Sequence, residues 1–201
     1  MVTAATDIRS STRSRILDAT FEAVRDFGIS RTTVEDVAQR AGLSRQTVYR
    51  YFPSKDHLIL ALVLREEEQF IEGTRRAFSS EDGLEAAFVR AITFCLEYAR
   101  QHPLLDRLLA TDQETFLPYL TTRALPVIVR AREALMEMVV DRRPQADTEL
   151  MRGLLDAAVR ATLSYIISPS ERLPSTVARA MASALVAAID ASSFVSFESE
   201  G

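Results

Sequence analysis

The 201 residues suffice for one or two compact units with a substantial core, and 47% apolar with 26% charged side chains is the usual balance of a globular chain. A single cysteine, Cys95, excludes an internal disulfide, and with only His57 and His102 beside it no conventional zinc cluster can be assembled. The formal net charge of −4 excludes a protein that coats nucleic acid over its whole surface.

That charge is unevenly spread. Residues 1–60 hold nine basic side chains against seven acidic ones, a balance of +2 that leaves −6 for the remainder. A mildly basic head on an acidic body fits a protein that touches DNA with one end. The longest apolar run, Leu58 to Leu64, falls well short of the roughly 18 residues that a membrane helix needs. The polar stretch 1–11, with Asp7, lacks the apolar segment of a secretory signal and is expected to be a disordered arm. A cytoplasmic location without membrane contact is therefore expected.

From Thr12 to Phe27, Ile16, Leu17, Thr20, Phe21, Val24 and Phe27 recur at helical spacing, and Gly28 is the expected stop. Thr32 or Thr33 can cap a short second helix, whose first turn carries Glu35 and Asp36 and whose buried stripe is Val34, Val37, Ala38 and Ala41. Gly42 ends that helix, Leu43 plugs the turn, and Ser44 caps a third helix over Arg45–Phe52. Pro53 interrupts, and a fourth helix runs from Ser54 to about Phe78. Further helices are expected near 82–101, 104–111, 114–142, 147–168 and 174–195, the third of these interrupted or kinked by Pro118 and Pro126. No useful strand alternation, repeat or low-complexity tract occurs. The fold class is all-α.

The stretch Thr33–Phe52 has what a helix-turn-helix requires. Ala38 is small where two helices cross, and Gly42 supplies the positive φ of a tight turn. On a helical wheel Val48, Tyr51 and Phe52 fall inward, while Arg45, Gln46, Tyr49 and Arg50 project outward with Thr47 at the edge. Arg suits guanine, Gln suits adenine, and Thr suits a thymine methyl. Tyr49 and the Ser44 hydroxyl suit phosphate oxygens, as does the Thr33 hydroxyl with its neighbouring N–H groups. Lys55, the only lysine, sits in a first turn where the helix dipole disfavours it, a conflict that a bound phosphate would resolve. Tyr51 is divided between packing and phosphate contact.

These residues, with Gly42-Leu43-Ser44, Thr47 to Phe52, Ser54-Lys55-Asp56-His57-Leu58, Ile16 to Ala19 and Phe27-Gly28, resemble the DNA-binding head of the TetR family over roughly residues 12–62. The sequence departs from the pattern at Glu35, where some relatives carry a basic residue. The resemblance implies a three-helix head over 12–58 that meets double-stranded operator DNA through Ser44 to Tyr51, Thr33 and Lys55. It also implies a larger helical domain over 59–201 that binds a small effector and dimerises through its last two helices. Repression is the direction it implies, with the operator released when an apolar effector binds.

Candidates to line the effector site are Tyr98, Tyr119 and Tyr165, each an apolar body with one polar handle, together with Phe94 and Phe116. The last two helices are rich in alanine, as a close-packed dimer surface would need, although ordinary internal packing would also use it. Cys95 reads as a small core residue. No cofactor or metal is expected. Two other readings stay open: a helical ligand-binding or scaffold protein, and an all-α enzyme. Against the enzyme, no nucleophile–base pair, metal-ligand spacing or phosphate loop is visible.

Overall fold

Every regular element among the described residues is a helix, as the sparse Gly and Pro and the 3.6-residue periodicity predict. The computed structural model describes residues 2–198, with side chains from Ser11 to Ala191. The segment expected as a disordered arm over 1–11 is instead helical backbone from Val2, continuous with the helix expected to start at Thr12; Met1 and the side chains before Ser11 lie outside the described residues.

One compact unit comprises residues up to Glu66 together with Pro103–Thr121. It contains α1 (Val2–Arg31), α2 (Val34–Arg40), α3 (Arg45–Tyr51) and the first half of α4 (Lys55–Ser79). Ile16, Leu17, Val24, Val37, Val48 and Leu58 are all at most 2% exposed, so the expected stripes do form the core of the head. Phe27 is the exception. It is 43% exposed and carries the Arg40 guanidinium over its ring at 5.1 Å. Gly28 has the positive φ expected of it, 81°, but its ψ of 168° is outside the left-handed helical region, and one more turn follows to Arg31. The same unit takes in α6 (Pro103–Thr111) and α7 (Gln113–Leu120), both of which pack on α1.

The second unit comprises Glu67–His102 and residues from Thr122 onward. It holds the rest of α4, α5 (Leu84–Gln101), α8 (Leu125–Val140), α9 (Thr148–Ile167) and α10 (Pro174–Glu198). Phe78, Phe88, Met151, Leu155, Ala182 and Ile189 anchor its main core, and α10 packs along α5 and α9. Ala178 and Ala182 are fully buried, whereas Ala180, Ala184, Ala187 and Ala191 are exposed and recur at helical spacing along one side of α10. Cys95 lies with Sγ 3.0 Å from Thr74 Oγ1, and burial pushes its thiol up to about 11 despite that hydroxyl.

The segment 114–142, expected to be interrupted or kinked at its prolines, is two helices, with Pro118 inside the first. Thr121 adopts a non-helical φ/ψ of −131°/−93° and ends α7, and Pro126 then falls in the first turn of α8, where a missing N–H costs nothing. No helix among the described residues is long and apolar enough to cross a membrane.

Candidate nucleic-acid interface

The turn between α2 and α3 is built almost wholly from backbone hydrogen bonds. Gly42, at φ 62°, lets its own N–H reach Gln39 O at 3.1 Å and the Leu43 N–H reach Ala38 O at 2.9 Å. This is the paired-bond glycine stop that satisfies the last carbonyls of a helix. The Ala41 carbonyl takes a further bond from Arg15 Nη2 at 2.6 Å, which ties α1 to the turn.

Both caps are made by side chains that the sequence assigned to phosphate. The Thr33 hydroxyl accepts from the Asp36 N–H at 3.1 Å, while Asp36 Oδ2 accepts from the Thr33 N–H at 2.9 Å and from its hydroxyl at 2.6 Å. That reciprocal box holds the Asp36 carboxyl below its ordinary range. Ser44 Oγ accepts from the Thr47 N–H at 3.1 Å and lies 2.9 Å from the Thr47 hydroxyl.

None of the nine proposed DNA-facing residues is buried. Thr33, Ser44, Arg45, Gln46, Tyr49 and Arg50 are exposed, and Thr47, Tyr51 and Lys55 are half-buried. On the opposite side of α3, Val48 is fully buried and Phe52 nearly so, with the Arg13 guanidinium 5.5 Å from the Phe52 ring. Arg45 folds along Tyr49, with Nη2 donating to the phenol oxygen at 3.3 Å and the guanidinium 5.4 Å from the ring centre. Arg50 lies in the same way beside Tyr51, at 5.7 Å. Lys55 Nζ donates to the Ser30 carbonyl at 3.0 Å, near the negative end of α1. This bond resolves the dipole conflict inside the protein and leaves two ammonium protons for other acceptors.

The chain matches two family descriptions. Residues 16–62 match "Bacterial regulatory proteins, tetR family". Residues 83–187, more than half of the chain, match "Bacterial Tetracyclin repressor, C-terminal domain". The chain belongs to the TetR family. As a member of that family it is a DNA-binding transcriptional regulator, with a helix-turn-helix head and a helical C-terminal domain. It is 28% identical over 167 residues to the HTH-type transcriptional regulator AlkX of Mycobacterium tuberculosis, covering 80% of this chain and 79% of that one. With the HTH-type transcriptional regulator RutR of Escherichia coli K12 it shares 30% identity over 130 residues, 63% of this chain and 61% of that one. Among solved structures, the TetR family repressor AlkX from Dietzia sp. strain DQ12-45-1b superposes with a TM-score of 0.73 at 27% identity, covering 89% of this chain and 97% of that one. That repressor is implicated in biodegradation of n-alkanes.

The five aromatic residues expected to line an effector site divide between the two units. Phe94 and Tyr98 stack at 5.3 Å in the second unit, where Tyr98 also meets Phe70 edge-on at 4.6 Å. Tyr165 packs against the main core of that unit. Phe116 and Tyr119 belong to the first unit and are buried there, with the Tyr119 hydroxyl 3.3 Å from Asp56 Oδ1. The sequence singled out neither Arg15, one of the nine basic residues of the head, nor Glu67, the middle of the run Glu66-Glu67-Glu68, which by sequence could be solvated, near a pocket or set against DNA. Glu67 is 8% exposed.

Proposed function

We propose that the chain is a repressor that acts as a C2 homodimer on a roughly palindromic operator in the cytoplasm, and that an effector with an apolar body releases it. The observation that carries the DNA reading is the polar side of α3. Arg45, Gln46, Tyr49 and Arg50 are all exposed, while Val48 and Phe52 hold the helix from behind. In the dimer two such helices enter successive major grooves about 34–36 Å apart. Thr33, Ser44, Tyr49, Tyr51 and Lys55 contact phosphates, and Arg45, Gln46, Thr47 and Arg50 address base edges.

The functional division falls at 12–58 for DNA and 59–201 for effector binding and dimerisation. The exposed row Ala180, Ala184, Ala187 and Ala191 on α10 supports pairing through the last two helices, since small side chains allow two helices to approach closely. Gly153 and Ala157, exposed on α9, continue the same kind of surface. Effector binding releases the operator because the effector prefers the arrangement that does not fit DNA, and a coupling of about 1–3 kcal/mol gives about 5–150-fold relief. The chain acts by binding and turns over no substrate.

Mobility shift on the DNA flanking the protein's own coding sequence tests this reading, with native mass spectrometry of the same preparation. A dimer bound to one palindromic site is expected. A monomeric mass, or indifference to all flanking DNA, contradicts it.

A further inference from the structure

We infer that the effector carries an amine on its apolar body and that Glu67 is the anchor for that amine. The inference rests on the effector-binding reading given above. Glu67, on α4, is 8% exposed, and neither of its carboxyl oxygens has a hydrogen-bond partner among the described residues. A buried carboxyl with one long ion pair and no hydrogen bond is costly, and it is a site that further donors would satisfy.

The groups around it select the chemistry. Arg130 of α8 brings Nη1 to 3.5 Å from Glu67 Oε2, but its Nη2 is committed to Glu68. Burial overrides the attraction of Arg130, and with repulsion from Glu68 it pushes the Glu67 carboxyl up to about 8. Across from α4, Tyr98 of α5 donates its hydroxyl to Gln69, and His102 is the C-cap of α5. Phe70 lies one turn along α4 from Glu67, on the same side of the helix. Its ring meets Tyr98 at 4.6 Å and His102 at 5.8 Å, and Tyr98 stacks on Phe94. Phe94 can lie against α4 because residue 73 is glycine; a Cβ there would fall 2.0 Å from its ring. Ring faces attract cations, and carboxyl oxygens accept N–H bonds.

The protons balance simply. An alkylammonium binding to protonated Glu67 forms an ammonium–carboxylate pair and releases the carboxyl proton to solvent. Affinity therefore rises about tenfold per pH unit below the carboxyl's own value and levels off above it.

Calorimetry on the full chain with decylamine, decanol and decanoate, at pH 6, 7 and 8, tests this directly. Decylamine is expected to bind at least about tenfold more tightly than the other two, and about tenfold more tightly at pH 7 than at pH 6. Glu67→Gln, checked for native helix content, is expected to lose both effects. Equal binding of the three probes overturns the inference, as does an unchanged pH dependence in the variant. Should the variant not fold, wild-type proton release, measured in two buffers of different ionisation enthalpy, decides the question, and zero release overturns it. A parallel operator shift separates the two readings. Amine binding through Glu67 without operator release sinks the effector reading alone, and release by decanol or decanoate but not by decylamine sinks the amine site alone.

Discussion

Asp112 Oδ2 accepts a hydrogen bond from the backbone N–H of Ser30 at 2.9 Å, across 82 residues of chain. The Ser30 carbonyl takes the Lys55 ammonium at 3.0 Å. Arg107 donates to the Asp26 carbonyl at 2.8 Å, so the end of α1 is held by α4, by α6 and by the residue that opens α7. The segment 103–121 is thus wired into the DNA-binding head.

Asp112→Ala leaves the Ser30 N–H without its partner and is expected to lower the unfolding free energy by about 1 kcal/mol. Gly28→Ala is expected to cost more, about 1–3 kcal/mol, because the backbone there has positive φ and a Cβ would stand 2.9 Å from Asp112 Oδ2. Urea denaturation of both variants checks the order, and a Gly28→Ala midpoint at or above that of Asp112→Ala contradicts it.

Lys55→Ala is expected to weaken operator binding and to make the slope of log affinity against log salt shallower by about 1 for each phosphate that the lysine neutralises. The Ser30 bond uses one of three ammonium protons, which leaves the others for phosphate. A salt series by fluorescence anisotropy reads the slope. An unchanged slope with reduced thermal stability would reduce Lys55 to a strut for α1.

Arg15→Ala removes the 2.6 Å bond to the Ala41 carbonyl at the turn. Arg15 is a positioning residue. Its removal is expected to reduce affinity for operator and for unrelated DNA by different factors, because the pose of α3 matters only for base reading. Equal factors for both DNAs would mean that Arg15 itself binds phosphate instead.

Glu67 sets the sign of one pH effect on stability. Its folded value, about 8, lies above the ordinary 4.5, so the folded chain keeps a proton that the unfolded chain gives up in that window. The resulting contribution is complete below about 4.5 and is lost as pH rises through 8. The melting temperature is expected to fall from pH 5 to pH 8 in the wild type, and to fall less in Glu67→Gln. Parallel pH profiles for the two proteins would contradict this.

The head was legible in the sequence because its determinants are local. Gly42 must take positive φ, Thr33 and Ser44 must cap, and Val48 must face inward, all within 20 residues of chain. Other features depend on approach across long separations, and no periodicity encodes them. Nothing local tells that Asp112 reaches Ser30, or that Lys55 satisfies the end of α1. Phe27 obeyed the helical stripe yet came to the surface, because a long aromatic side chain beside Arg40 can be covered by a guanidinium instead of by the core. Glu67 was hidden by its neighbours Glu66 and Glu68. A run of three acids reads as solvated, and only packing shows that one of them is buried.

Base-pair reading by the exposed side of α3 can be tested position by position. The most direct measurement is the affinity of wild type and Gln46→Ala for an operator set in which each base pair of a half-site is substituted in turn. Gln46→Ala is expected to flatten the preference by about 1–3 kcal/mol at one position of each half-site and to leave the other positions as they were. A substitution profile identical to that of the wild type would contradict it.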